Sequence, residues 1–310
     1  MSMTPDKPIE FHIEEKGERI QLVFDRLAEG KTLLASQAGA YRCMGIMEKN
    51  LTDDELAELE AARGKSTIEK PDWLLSIQSM LTNVIERMVL AYRWMVGADD
   101  GHNPIYNRFK IQSSVDGKNW SPVYGPMEVS LTIKFGLGMQ QVNDNLIESL
   151  KKTVQSKDEE PLGHELFCEA WALRTQNPRS ALLIGIAALE TRTKEVISKL
   201  VPDASWLMEE IPSPPVWKIL RYYIPKLPCR GKVNGKVVMP GAMVKIVQKG
   251  TELRNDVTHG KGGVVEADYL ENLLRTIRDV LYLLDFYEGR KWAFSNIDYD
   301  NKQLIIEETK

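Results

Sequence analysis

The sequence predicts a mainly α protein, with an up-and-down helical bundle in its C-terminal half behind an N-terminal α+β region that carries a small antiparallel sheet. Three observations carry this. Beyond residue 160 apolar residues recur at three- and four-residue steps, as in Leu182, Leu183, Ile186, Leu189, Val196, Ile197 and Leu200, the period of one helix face. Residues 106–136 instead alternate in short runs broken by Asp116-Gly117 and Gly125-Pro126, which reads as three short strands and their turns. The composition, 43% hydrophobic and 27% charged, is that of folded globular chains.

In chain order, residues 19–48 show helical periodicity with a break near Gly30. In "LTDDELAELEAARG" (51–64) Thr52 and Glu55 make a capping box and Gly64 is the stop. A long helix covers about 73–96. The apolar stretch of 25 residues over 73–97 contains Gln78, Asn83, Glu86, Arg87 and Arg93, too many polar groups for a lone bilayer-spanning helix, so no membrane span is expected. The piece "SSVDGKNWSPVY" (113–124) resembles a strand-turn motif of discoidin-type sugar- or lipid-binding domains over a dozen residues, without the rest of that domain, and is read as a hairpin. A helix over about 139–155 leads into the charged "QSKDEEPLG" (155–163), a linker composition. The expected organisation is an N-terminal domain over 1–157, a helical domain over 160–290 and a C-terminal tail over 291–310.

Within the helical domain the pattern predicts helices over about 163–175, 178–200, 241–259 and 265–288. A short helix over 214–224 is flanked by Pro214, Pro215 and Pro225, and Asn234-Gly235 signals a hairpin. Four long helices around an inserted hairpin fit a bundle.

The start lacks a basic region followed by an apolar run, so no signal peptide is expected. Cys43, Cys168 and Cys229 are odd in number and far apart. They make no metal-ligand spacing and read as buried apolar residues of a cytoplasmic protein. No metal and no cofactor is expected.

The chemistry concentrates in "KGTELRNDVTHGKGG" (249–263). On a helix Asn255 and His259 share a face, and Asp256 also neighbours His259. Arg254 and His259 lie about 140° apart at 100° per residue. They meet through a long Arg stem, a distorted last turn at Gly260, or a second copy of the helix. From Val216 to Gly262 ten basic residues face two acids, a net +8, in a chain whose total is −4. Such a segment suits a polyanion, and Trp217, Tyr222 and Tyr223 within it could stack bases. Its alternative role is to pair with the acidic remainder. Lys245, Lys249, Arg230 and Lys261 are its candidate RNA-binding residues. Glu190 could face the same cleft in a supporting role, as could Asp256. His164 reads as a helix-end residue, and His12 and His102 lie outside the bundle.

"LRNDVTHG" (253–260) resembles the Arg-x4–6-His signature of the HEPN superfamily, whose Arg is often followed by Asn. "ALLIGIAALETRTKEVI" (181–197) resembles the second helix of Apea-like and abortive-infection HEPN domains, and the similarity spans about 160–288. The resemblance implies a metal-independent endoribonuclease working as a homodimer, with two copies of the motif facing each other. Arg254 would bind phosphate, His259 would act as acid and base, and Asn255 would hold the polar position. It implies RNA as the partner and a defence or stress effector as the role, with the N-terminal half sensing a trigger or restraining the nuclease. Lys261 stands where nucleotidyltransferase-regulated members carry Tyr, so that regulation is not expected. The alternative is a non-catalytic HEPN-like module that binds nucleic acid or nucleotide, or oligomerises. A third reading gives the hairpin half a carbohydrate- or protein-sensing role.

Overall fold

The computed structural model describes residues 9–26, 41–62, 71–96, 105–107, 112–122, 130–132, 144–206, 215–233, 235–260 and 264–307. It is mainly α with an N-terminal α+β part, and it divides into two compact units. One comprises Met1–Arg93, Asn103–Lys134 and Gln141–Glu159; the other comprises Trp94–His102, Phe135–Gln140 and Glu160–Lys310.

The first unit is built on an antiparallel sheet of β1 (Ile9–Glu15), β2 (Glu18–Arg26), β3 (Tyr41–Met47), β4 (Ile105–Asn107) and β7 (Ser130–Thr132), in the order β1-β2-β3-β7-β4. Ile9, Phe11 and Ile13 point inward while Glu10, His12 and Glu14 face out, the two-residue period of a half-buried strand. The helix expected over 19–48 is therefore corrected: its described residues form β2 and β3. Ile20, Leu22 and Val23 are buried there; a run this short and apolar satisfies either period, and pairing with β1 and β3 decides it. Gly30 lies outside the described residues.

Helix α1 (Asp53–Ala62) starts as expected. The Glu55 N–H donates to Thr52 Oγ1 (3.2 Å) and the Thr52 N–H to Glu55 Oε2 (2.9 Å). Gly64 lies outside the described residues. Helix α2 (Asp72–Val96) packs on β3, where a Cβ on Gly45 would come within 3.2 Å of Leu81. Largely buried Glu15 accepts from Arg87 (2.6 Å) and from Lys157 (2.8 Å), just beyond α3 (Asp144–Ser156). Those two partners hold its carboxyl below its ordinary value. The "SSVDGKNWSPVY" hairpin is β5 (Gln112–Ser113) against β6 (Ser121–Pro122). Asp116 Oδ1 accepts from the backbone of Lys118 and Asn119 (both 2.8 Å), an Asx turn at the tip. Gly125-Pro126 and His102 lie outside the described residues.

The second unit is the bundle: α4 (Leu162–Leu173), α5 (Pro178–Leu200), α6 (Val216–Tyr222), α7 (Gly241–Thr258), α8 (Ala267–Tyr287) and α9 (Tyr299–Ile305). Asn177 caps α5 by accepting from the Ser180 N–H, with Pro178 at the first helical position. Helices α4 and α5 run antiparallel at very close range. A Cβ on Gly163 would meet Arg192 Cβ at 2.6 Å and the Ala188 carbonyl at 2.9 Å; one on Gly185 would meet Leu274 at 2.7 Å. From Gly185 opposite Leu274 to Arg192 opposite Asp285, α5 and α8 run in one direction, as second and fourth helices of an up-and-down bundle do.

A polar cluster is sealed inside this bundle. Arg192 and Asp285 are fully buried and joined at 2.6 Å; Arg192 also reaches Glu288 (2.8 Å). Trp94 Nε1 donates to Asp285 Oδ2 (2.9 Å). His164, expected at a helix end, is instead buried, with Nε2 2.9 Å from Asp285 Oδ2 but without the alignment of a hydrogen bond. Its partner is distant in sequence, so nothing local announces it. Burial opposes ionisation of Asp285, yet His164 and Arg192 outweigh it and hold the carboxyl well below the usual carboxylate range. For Glu288, too, burial opposes ionisation and contact with Arg192 prevails.

Two further expectations are corrected. The strand after Asn234-Gly235, β8 (Lys236–Val237), does not close a local hairpin but pairs with β9 (Ile306–Glu307) near the chain end; Asn234 itself lies outside the described residues. Residues 291–310 are not a loose tail as far as they are described. Ala293, Ile297 and Ile305 are buried in the bundle core, and the Asn296 amide donates to Met95 O (2.9 Å). Their apolar side chains are too sparse to show a helical period, which is why they read as a tail.

Three outcomes follow for stability. Because the Asp285 and Glu288 pKa values are depressed in the folded state, their contribution is complete above the unfolded carboxylate pKa of about 4 and is lost as pH falls through the folded values. Urea unfolding from pH 7 down to pH 2 should show that loss. Asp285→Asn, which removes the fully buried anion beside Arg192 and leaves it only Glu288 and Glu195, should cost up to about 3–5 kcal/mol at pH 7 and flatten the acid limb. Gly163→Ala should destabilise by about 1–3 kcal/mol in the same measurement, against its helix propensity, because a backbone carbonyl blocks the methyl.

Candidate functional site

The buried side of α7, from Met243, Val244 and Val247 to Gly250 and Thr251, settles onto the bundle. A Cβ on Gly250 would meet Leu273 of α8 at 2.7 Å, so the helices touch almost backbone to side chain. That seating turns Arg254 toward α5, where its Nη2 donates to Glu190 Oε1 in a close ion pair. The two side chains are 28% and 37% exposed, an intermediate burial in which such pairs are worth about 1 kcal/mol or less.

The pair stands in a cleft of about 450 Å³, within the size range of small-ligand sites. Helix α5 supplies Ala187, Glu190, Thr191 and Lys194; α7 supplies Thr251, Arg254 and Asn255; Pro215, Val216 and Ile219 form the third wall. Val216 and Ile219 are buried, so an apolar wall faces a polar rim of two cations and one carboxylate. Thr251 is committed to its own helix, donating to Val247 O (2.9 Å).

The end of α7 follows the expected chemistry. The His259 N–H donates to Asn255 O (2.9 Å), the Gly260 N–H lies 3.3 Å from Val257 O, and Gly260 takes φ +69°, a left-handed value that glycine adopts without strain. His259 is the exposed C-cap residue. The cleft wall includes Arg254 and Asn255 and does not include His259. Within one chain the motif is thus split, as the ideal angle of about 140° implies.

The other residues scatter. Asp256 is half-buried on the last turns of α7. Lys245 and Lys249 are exposed on that helix, Lys249 4.5 Å from the centre of the Tyr269 ring. Burial, with Glu252 near, pushes the Tyr269 phenol up to about 12, so it stays neutral and donates to Ile246 O (3.0 Å). Arg230 donates to Lys199 O (3.3 Å) near the end of α5, roughly 13 Å along that helix from Glu190, and is not part of the cleft. Lys261 lies outside the described residues. Glu195, next to Lys194 on α5, pairs with Arg192 (3.2 Å) and is not part of the cleft. Among the described residues no group of three or more His, Cys, Asp or Glu side chains is placed to hold a metal ion, and no helix is long and apolar enough to cross a membrane.

Sequence reasoning missed Thr191, Lys194, Val216 and Ile219. Lys194 carried a usable signal, since it follows Glu190 by four residues and so shares its face. The α6 wall carried none, because its place against α5 and α7 is purely tertiary. Comparison of the chain with protein-family models, with curated proteins and with solved structures finds no match.

Proposed function

We propose that the protein is a metal-independent endoribonuclease of the HEPN type that works as a homodimer, with a role in defence or stress. The observation that supports this most is the setting of Arg254: a guanidinium beside Asn255 in a cleft large enough for part of an RNA strand, five residues before an exposed histidine. Arginine stays charged and can grip two phosphate oxygens at once. Histidine transfers protons near neutral pH.

The reaction is attack of a ribose 2′-oxygen on the adjacent phosphorus. The 2′-hydroxyl gives its proton to one His259, a new O–P bond closes a 2′,3′-cyclic phosphate, and the bond to the 5′-oxygen breaks as that oxygen takes a proton from a second imidazole. One histidine cannot stand on both sides of an in-line displacement, whereas His259 from each of two copies can. That requirement also answers the divergence of Arg254 and His259 within a single chain.

A second reading is a non-catalytic module that binds nucleic acid. One observation favours it: Arg254 is already partnered by Glu190, so phosphate must compete with a carboxylate for it. Both readings place RNA at the same cleft and differ only in whether it is cut.

Purified protein should cut single-stranded RNA in the presence of EDTA, and His259→Ala should lower the rate by about 10²–10⁴-fold. Intact RNA across a range of pH, with salt-sensitive binding retained in His259→Ala, is the outcome that selects the second reading. Glu190→Gln should tighten RNA binding up to about fivefold, as loss of a half-exposed competitor worth about 1 kcal/mol requires. Fluorescence anisotropy of a labelled oligoribonucleotide reads this directly, and weaker binding would assign Glu190 to positioning Arg254 instead.

A further inference from the structure

The outer surface of α6 shows which aromatic residues of the basic segment are free of the core. Trp217 is half-buried and packs on the bundle. Tyr222 and Tyr223 are 55% and 38% exposed, so both present surface to solvent. They follow Ile219 by three and four residues, so they share its helix face, within about 60° of it and one turn, roughly 5 Å, further along. Ile219 lines the Arg254 cleft. The cleft and the two rings therefore form one strip along α6.

Cations border that strip. Lys218, Arg221 and Lys226 are exposed, and Arg221 Cζ lies 5.4 Å from the centre of the Tyr222 ring. No acid occurs between Val216 and Thr251. Flat π faces alternating with fixed positive charge match a strand whose unpaired bases and phosphates alternate in the same way. An acidic peptide would satisfy the cations and leave the rings unused; duplex RNA, with its bases already stacked, would do the same.

We propose that Tyr222 and Tyr223 form a stacking platform for single-stranded RNA leaving the Arg254 cleft, with Lys218, Arg221 and Lys226 neutralising its phosphates. This rests on RNA as the partner of the cleft, and it adds the direction of the strand and a selectivity for unpaired bases.

The test uses the full chain carrying His259→Ala, so that the probe survives, with anisotropy of a short labelled single-stranded oligoribonucleotide. Tyr222→Ala with Tyr223→Ala should weaken binding by about tenfold or more and leave the salt dependence unchanged. Tyr222→Trp with Tyr223→Trp should restore affinity. Lys218→Ala and Arg221→Ala should each lower the log–log salt slope by about 0.7. The platform is overturned if the double alanine variant binds like its parent, if duplex binds as well as single strand, if polyglutamate displaces the strand as well as unlabelled RNA does, or if no RNA binds. A parallel cleavage assay on the unsubstituted chain separates the two claims. Tyrosine-dependent binding without cutting keeps the platform and removes the nuclease, whereas cutting that ignores both tyrosines does the reverse.

Discussion

The buried pairing of Arg192 with Asp285 is the constraint on which the bundle is organised. Both side chains are fully buried, and the cluster around them draws on α4 through His164, on the end of α2 through Trp94, and on the end of α8 through Glu288. A guanidinium taken out of water is tolerable only when its donors find acceptors, and here three carboxylates supply them. A slip of one residue turns a helix by about 100°, which would take the apolar side of α5 out of the core and also carry Arg192 away from its carboxylates. The cluster thus adds a directional constraint on the register of α5 to the one its leucines and isoleucines impose.

That register has a consequence on the opposite face. Glu190 lies two positions before Arg192, about 200° around the helix. Holding Arg192 inward points Glu190 outward, where it meets Arg254, and Lys194, one turn beyond Glu190, enters the same cleft. The close approach of α4 at Gly163 and of α8 at Gly185 leaves α5 little freedom to shift. A cleft built this way is preorganised by a buried ion pair that does not line it. Its own charges are half-exposed and cost little to rearrange.

Much of the bundle was legible because local rules and tertiary structure agree there. The ends of α5 carry Asn177, Pro178 and Pro202, the end of α7 carries Gly260, and the apolar side of α8 from Leu270 to Phe286 is buried, although from Thr276 to Tyr287 the helix is buried on every side. Legibility failed where the deciding partner is remote. Asp285 lies 93 positions from Arg192 and 191 from Trp94, so a helix-end histidine and a mid-helix arginine gave no sign of sharing one carboxylate. Strands β2 and β3 were misread for the same reason: their hydrogen-bond partners, not their composition, make them strands. β8 was given the wrong partner because a turn dipeptide is a local signal and its true partner, β9, sits at the other end of the domain. Of the candidate site, Arg254, Asn255 and Glu190 come together, while Arg230 belongs to a different part of the surface.

The end of α7 shows why the motif takes the form it does. Arg254 needs a firm base, and it has one: its turn rests on Thr251 and Gly250 in the core, and its carbonyl is held by the Thr258 hydroxyl (2.6 Å). The proton carrier that the proposed function requires needs the reverse, an exposed ring, and His259 stands exposed at the cap where the helix gives way to left-handed Gly260. Five residues are enough to pass from one environment to the other, and the same five carry the two side chains to different sides of the helix. Anchoring and exposure are thus obtained from a single helix terminus at the cost of convergence within one chain. Under the proposed function convergence has to come from outside that chain, from a second copy placing its own His259 beside this Arg254.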